Sequence, residues 1–231
     1  MTSQPTPARI YLATGALYLF IFCFGLYSEV VVRARLLVPG DVEATAQNIL
    51  ASPWLFKSAF ASDLAVFACD VAVAVLLYVL LRPAGRAGSM LAAAFRLTGT
   101  AIYGVNLLLY FAALLLLINS GVLAAFQQGQ LQAMAFLFLE LHKHGYDLGL
   151  VFFGVHCLVV GWLLVRSAAF PTILGLLMAL AGAVYLAGSL TRFLWPQYVA
   201  MVAPIYVLPV AGELSFSVWL LVKGLRMRRA G

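Results

Sequence analysis

Asp70, Arg96 and Glu213 are the residues of this sequence best placed to do chemistry, because each stands inside a long apolar run. A charge in hydrocarbon is costly unless paired, so such residues face a protein interior, where they lock helices together or build a site. At about 1.5 Å per helical residue, Arg96 falls roughly 11 Å from the basic end of its run, Glu213 about 15 Å and Asp70 about 18 Å. An arginine side chain can bridge that spread. Two readings stay open: a structural Arg96 neutralised by Asp70, by Glu213 or by both, and a binding or proton-transfer site. In the second, two carboxylates sharing one arginine leave one acid free for a proton or a ligand.

The run that carries Arg96 repeats polar residues at helical spacing. Arg96, Tyr103, Asn106 and Tyr110 fall within about 80° of one another at 100° per residue, an inward stripe that a lipid-facing helix does not need. Tyr185, Ser189 and Arg192 repeat the arrangement at i, i+4 and i+7. Together they predict a polar intramembrane core of Asp70, Arg96, Tyr103, Asn106, His156 and Glu213. Ordinary interhelical hydrogen bonding is the plainer account of the same stripes. His156 lies well inside a run, where haem ligation would need a second histidine at facing height; none is present, so haem is not expected. A neutral histidine, hydrogen-bonded in the core or touching a ligand, is the expectation.

A second collection shares the depth of the opposite boundary: Glu29 with Arg33, Asp63, Arg192 and the segment Glu140, His142, His144, Asp147. If Glu29, Asp63, His144, Asp147 and Arg192 converge, they form an outer vestibule. Zinc could in principle use His-x-His with nearby carboxylates. Rings two residues apart point about 200° apart on a regular helix, so both could reach one ion only if Gly145 breaks it. The expectation is therefore a vestibule without metal, and no metal-binding residues are assigned. No Ser-His-Asp, Walker, Rossmann or zinc-protease pattern is present, and no catalytic residue is named.

The elements that would position these residues follow from composition. Of 231 residues, 65% are hydrophobic and 10% charged, too little polar surface for a soluble domain. Apolar runs of about eighteen or more residues suffice to cross roughly 30 Å of hydrocarbon. The fold class is thus all-α: one transmembrane domain over 1–231, with spans at about 10–32, 58–81, 89–117, 145–165, 172–192 and 199–222. Pro83 with Gly85, Pro171, and Trp195 with Pro196 punctuate the boundaries. Cys23, Cys69 and Cys157 stand singly in apolar runs and suggest no disulfide framework.

The net charge of +6 is a matter of membrane orientation here and gives no expectation of nucleic acid. Placing both termini in the cytoplasm puts Arg9, Arg82, Arg86, Arg166, Lys223, Arg226, Arg228 and Arg229 inside, with Arg33, Arg35, Lys57, Lys143 and Arg192 outside. Two connections are longer than turns, and both fall outside. The first reads as a surface helix capped by Asp41 and stopped by Ser52 and Pro53. The second, about 119–144, begins with Asn119, Ser120 and Gly121 and turns apolar from Leu131 to Leu141, too short to span. It could be interfacial, re-entrant, or an extension that lengthens the fourth span. Pro204 and Pro209 predict a kink just outside Glu213.

The strings GDVEATAQNI, AAAFRLTG, LGLVFFGVHCLVVGWLLVRSAAFPTILG and GELSFSVWLLVKGLR resemble the bacterial integral membrane-protein family named domain of unknown function 4386. The resemblance covers nearly the whole chain and implies a six-helix bundle, but it brings no substrate, cofactor or catalytic residue. The expected function is binding of a small or lipid-like molecule in an outward-opening polar cavity, for transport or sensing. The alternatives are an intramembrane enzyme acting on a lipid or quinone, with Asp70, Glu213 or His156 as acid or base, and a structural subunit. The expected partners are the lipid bilayer and that ligand, and the expected location is a bacterial cytoplasmic membrane.

Overall fold

The structure is a computed structural model that describes residues 7–118 and 123–230. Its elements are helical throughout. Helix α1 (Ala8–Leu26) runs through a π-helical stretch (Tyr27–Arg33) into the short α2 (Ala34–Leu36), making one rod. It is followed by α3 (Val42–Ala51), α4 (Pro53–Leu81), α5 (Arg86–Ile118), α6 (Gln128–Arg166) and α7 (Thr172–Leu194). A broken stretch of 3-10 turns around α8 (Val199–Val202) then leads into α9 (Val207–Ala230). Six of these helical stretches are long and apolar enough to cross a membrane.

The six stretches form a closed ring in which α1, α4, α5, α6, α7 and α9 each pack on their sequence neighbours, and α9 returns to α1. Neighbours are antiparallel. Near one end Gly224 meets Leu12, and further along Gly15 meets Leu221. The start of α1 and the end of α9 therefore share one end of the ring, and the connection carrying α3 lies at the other.

Lipid is as apolar as leucine, so burial of apolar area does little to hold such helices together; close packing and interhelical hydrogen bonds do. The α6/α7 seam shows this plainly. A Cβ on Gly161 would lie 2.6 Å from the Gly175 carbonyl, and one on Gly182 would lie 2.6 Å from the Gly154 carbonyl. These four glycines let the two backbones touch. Elsewhere side chains bond across to backbone: Ser62 to the Phe24 carbonyl at 3.0 Å, and Ser89 to the Tyr78 carbonyl at 2.8 Å.

The connection after α2 folds as the sequence predicts. Gly40 takes φ +76°, a conformation L side chains rarely adopt, and turns the chain into α3. The Asp41 carboxylate accepts from the Ala44 amide at 2.9 Å and caps the helix. Buried Thr45 and Ile49 seat α3 over the ring, with Thr45 bonded to the Val38 amide at 2.9 Å. Pro53 then opens α4 at a position where its missing N–H costs nothing.

The second connection differs from two of its three expected forms. Its opening residues Asn119, Ser120 and Gly121 lie outside the described residues, but from Gln128 onward it is the N-terminal part of α6. A capping box between Gln127 and Gln130 starts that helix, and Gly145 does not interrupt it. The first span extends to Leu36, the second begins at Pro53 and the third at Arg86, each earlier or longer than apolarity alone suggested. The sixth is interrupted: a 3-10 turn (Ala203–Tyr206) carrying Pro204 precedes α9, which continues to Ala230.

Candidate functional site

Arg96 is the organising residue. It is 1% exposed in the middle of the ring and held from four sides. One terminal nitrogen donates to the Tyr18 hydroxyl at 2.7 Å and to His156 Nε2 at 3.1 Å. The other is paired and hydrogen-bonded to Asp70. The guanidinium also lies 4.8 Å from the Tyr18 ring centre and 5.0 Å from that of Phe153. Helices α1, α4, α5 and α6 thus converge on one cation.

The partners fix their own states. His156 Nδ1 lies 2.8 Å from the Ala92 carbonyl, which can only accept, while its Nε2 faces a guanidinium, which can only donate. The ring is therefore neutral with its proton on Nδ1, and both nitrogens are occupied. Asp70 uses its second oxygen to accept from the Thr100 hydroxyl, one turn beyond Arg96 on α5. Glu213 accepts from the Tyr185 hydroxyl instead of Arg96. Of the three arrangements left open, Arg96 pairs with Asp70 alone, and Glu213 takes a donor from the α7/α9 seam.

Beside this network lies a cavity of about 230 Å³ to which all six membrane helices contribute. Asp70, Arg96, Tyr103 and Glu213 of the predicted core line it. Tyr146, Leu150 and Phe153 of α6 and Tyr185 of α7 complete its aromatic wall. Tyr103 stacks on Tyr146 with ring centres 4.8 Å apart, and Phe67 stacks on Tyr103 at 5.5 Å. The cavity also reaches Leu26 of α1 and Val210 of α9, which are 43% and 40% exposed, and its Tyr146 on α6 is 45% exposed. Its mouth therefore lies towards the end that carries α3.

Asn106 belongs elsewhere. It lies about 15 Å further along α5 than Arg96 and bonds the His142 carbonyl at 2.8 Å. The stripe had the right direction, but two of its members, Asn106 and Tyr110, pass beyond the cavity, Tyr110 stacking on Phe56.

The charged residues of the predicted outer vestibule form two separate ion-pair groups. Asp63 pairs with Arg33, which also lies 3.6 Å from Glu29 and 4.8 Å from the Tyr110 ring centre. Asp147 pairs with Arg192 across the α6/α7 seam, with Ser189 at 3.5 Å. His144 is exposed and donates back to the Glu140 carbonyl at 2.8 Å. His142 is buried against Asn106, so the two imidazoles point apart on an unbroken helix. Among the described residues no group of three His, Cys, Asp or Glu side chains is arranged to hold a metal ion.

Several contributors escaped the sequence reading. Tyr18 follows Tyr11 and Thr14 at helical spacing, all three buried on α1. Tyr146, Leu150 and Phe153 are spaced i, i+4 and i+7, and Thr100 is one turn from Arg96. The π-helical stretch that aims Arg33 at Asp63 has no comparable signature.

These features define a multi-pass α-helical membrane protein whose ring holds a mainly apolar cavity carrying the charged residues Asp70, Arg96 and Glu213. The chain belongs to the family described as domain of unknown function DUF4386, whose profile matches residues 13–224. It is also similar to a protein of Archaeoglobus fulgidus, described as an uncharacterized protein, at 30% identity over 163 residues. That match covers 68% of this chain and 78% of the relative. No solved structure matches the chain.

Proposed function

We propose that the protein binds a small or lipid-like molecule in the central cavity, within the membrane, for transport or sensing. One observation carries the reading: all six spanning helices contribute to one cavity that holds Asp70, Arg96 and Glu213. A purely structural ion pair needs Arg96 and Asp70 but no open space beside them. Arg96, pinned by three side chains and two aromatic faces, is a rigid wall of that space. An enzyme using His156 as acid or base is less well supported, since both ring nitrogens are engaged.

The orientation we propose has both termini in the cytoplasm of a cell bounded by a cytoplasmic membrane. Arg82, Arg86, Arg166 and the tail residues Lys223, Arg226, Arg228 and Arg229 lie at or near the end that holds the termini, as the positive-inside rule requires. The cavity mouth then sits in the outer half of the membrane.

The test is mass spectrometry of the protein purified in mild detergent. A discrete molecule retained at up to one per chain is expected. A chain that carries no such molecule, and is not stabilised by a total lipid extract, would overturn the reading.

A further inference from the structure

The cavity has an electrostatic sign. Arg96 brings one positive charge, and Asp70 cancels it in direct contact. Its guanidinium lies 4.8 Å from the Tyr18 ring centre and 5.0 Å from that of Phe153, one terminal nitrogen donates to Tyr18 and His156, and the buried Nε has no hydrogen-bond partner. An incoming anion would find a cation whose charge Asp70 already balances. Glu213 is different. It lines the same cavity, and among the described residues no basic group forms an ion pair with it; its contact is the hydroxyl of Tyr185. A carboxylate accepts at about four lone-pair sites, and the Tyr185 hydroxyl takes one of them.

The walls favour the same sign. Phe67, Tyr103, Tyr146, Phe153 and Tyr185 gather round that space, and aromatic faces attract cations most strongly where water is excluded. Volume and mouth add a second constraint. About 230 Å³ falls below the roughly 300–1,000 Å³ of pockets that enclose a drug-sized molecule. Leu26 and Val210, at the α1 and α9 side of the mouth, are apolar and exposed.

We propose, building on the binding function above, that the ligand is an amphiphilic organic cation. Its protonated amine pairs with Glu213 inside the ring, and its apolar tail leaves between α1 and α9 into the bilayer. The ligand cation supplies the opposite charge that a carboxylate in a membrane interior requires.

The experiment uses the full chain in phosphatidylcholine nanodiscs, titrated by calorimetry with hexylammonium, hexanol and hexanoate against empty nanodiscs. Saturable hexylammonium binding at one per chain is expected, with hexanol and hexanoate at least about tenfold weaker. Octylammonium should bind more tightly than butylammonium, because more of its tail meets the mouth. Glu213→Gln should weaken hexylammonium by about 30-fold or more, the usual consequence of truncating one partner of a buried charge pair. If that variant does not fold, the comparison of the three probes on the wild-type chain decides alone. Equal or tighter binding of hexanol or hexanoate would overturn the cationic class while leaving the cavity as a binding site. No binding by any probe, alongside a different molecule retained on purification, would also overturn the class alone. No binding together with an empty purified protein would overturn both.

Discussion

Replacing Arg96 by Met keeps most of the apolar stem and removes the charge, and its cost can be worked from the contacts. The variant loses the pair with Asp70, the bonds to Tyr18 and His156, and two cation–aromatic contacts. Removing one partner of a buried pair costs about 3–5 kcal/mol. Each cation–aromatic contact adds about 0.5–2 kcal/mol, offset where Asp70 takes up a proton. We expect a net loss of about 4 kcal/mol. Asp70→Leu alone should cost a similar amount, since Glu213 does not reach Arg96 to replace it. The double variant has no buried charge left at this point, so it should be less damaged than the sum by about 2 kcal/mol. Reversible unfolding in mixed micelles, read by intrinsic fluorescence for all four proteins, measures the cycle. Additivity to within about 0.5 kcal/mol would refute the pairing.

Further expectations follow from the packing and the ends of the ring. Gly161→Leu should destabilise by at least about 1–3 kcal/mol, because its Cβ would meet the Gly175 carbonyl at 2.6 Å, whereas Gly104→Ala, with nothing within 4 Å, should stay within about 0.5 kcal/mol of wild type; the same unfolding assay reads both. Asp41→Ala should cost about 1 kcal/mol and speed amide exchange in α3 selectively, as measured by hydrogen exchange with mass spectrometry. In intact cells, with Cys23, Cys69 and Cys157 replaced, an impermeant maleimide should label a cysteine at Gly129 and spare one at Arg228; the reverse pattern would invert the proposed orientation.

Helix-forming runs and their punctuation made the ring readable from sequence, since apolar length and Pro or Gly boundaries are local properties. The Arg96–Asp70 pair was also legible, because depth along two apolar runs brought the charges to one level. Depth does not give azimuth, however. Asp63 and Asp147 share a level, yet α4 turns the first towards Arg33 and α6 turns the second towards Arg192. Helical period gives azimuth but not range, which is why Asn106 shared a stripe with Arg96 and still reached His142. Whether Asp70, Glu213 or both would meet the arginine was left open, and a tyrosine from the adjoining helix took Glu213. The spacing of seven between Gly154 and Gly161, and between Gly175 and Gly182, was present in the sequence. Its meaning needed the antiparallel pairing of α6 with α7.

The central claim is that the space inside the ring is where the ligand sits, and Gly25 tests it most directly. This residue lines the cavity, and a Cβ there meets nothing within 4 Å, so Gly25→Phe fills the space without forcing the backbone apart. Gly104→Phe, also with nothing within 4 Å, is the matched control away from the cavity. Native mass spectrometry of wild type and both variants, purified identically, compares the bound mass. The account predicts that wild type and Gly104→Phe retain the same molecule and that folded Gly25→Phe has lost it. Retention of that molecule by Gly25→Phe at wild-type occupancy would contradict it.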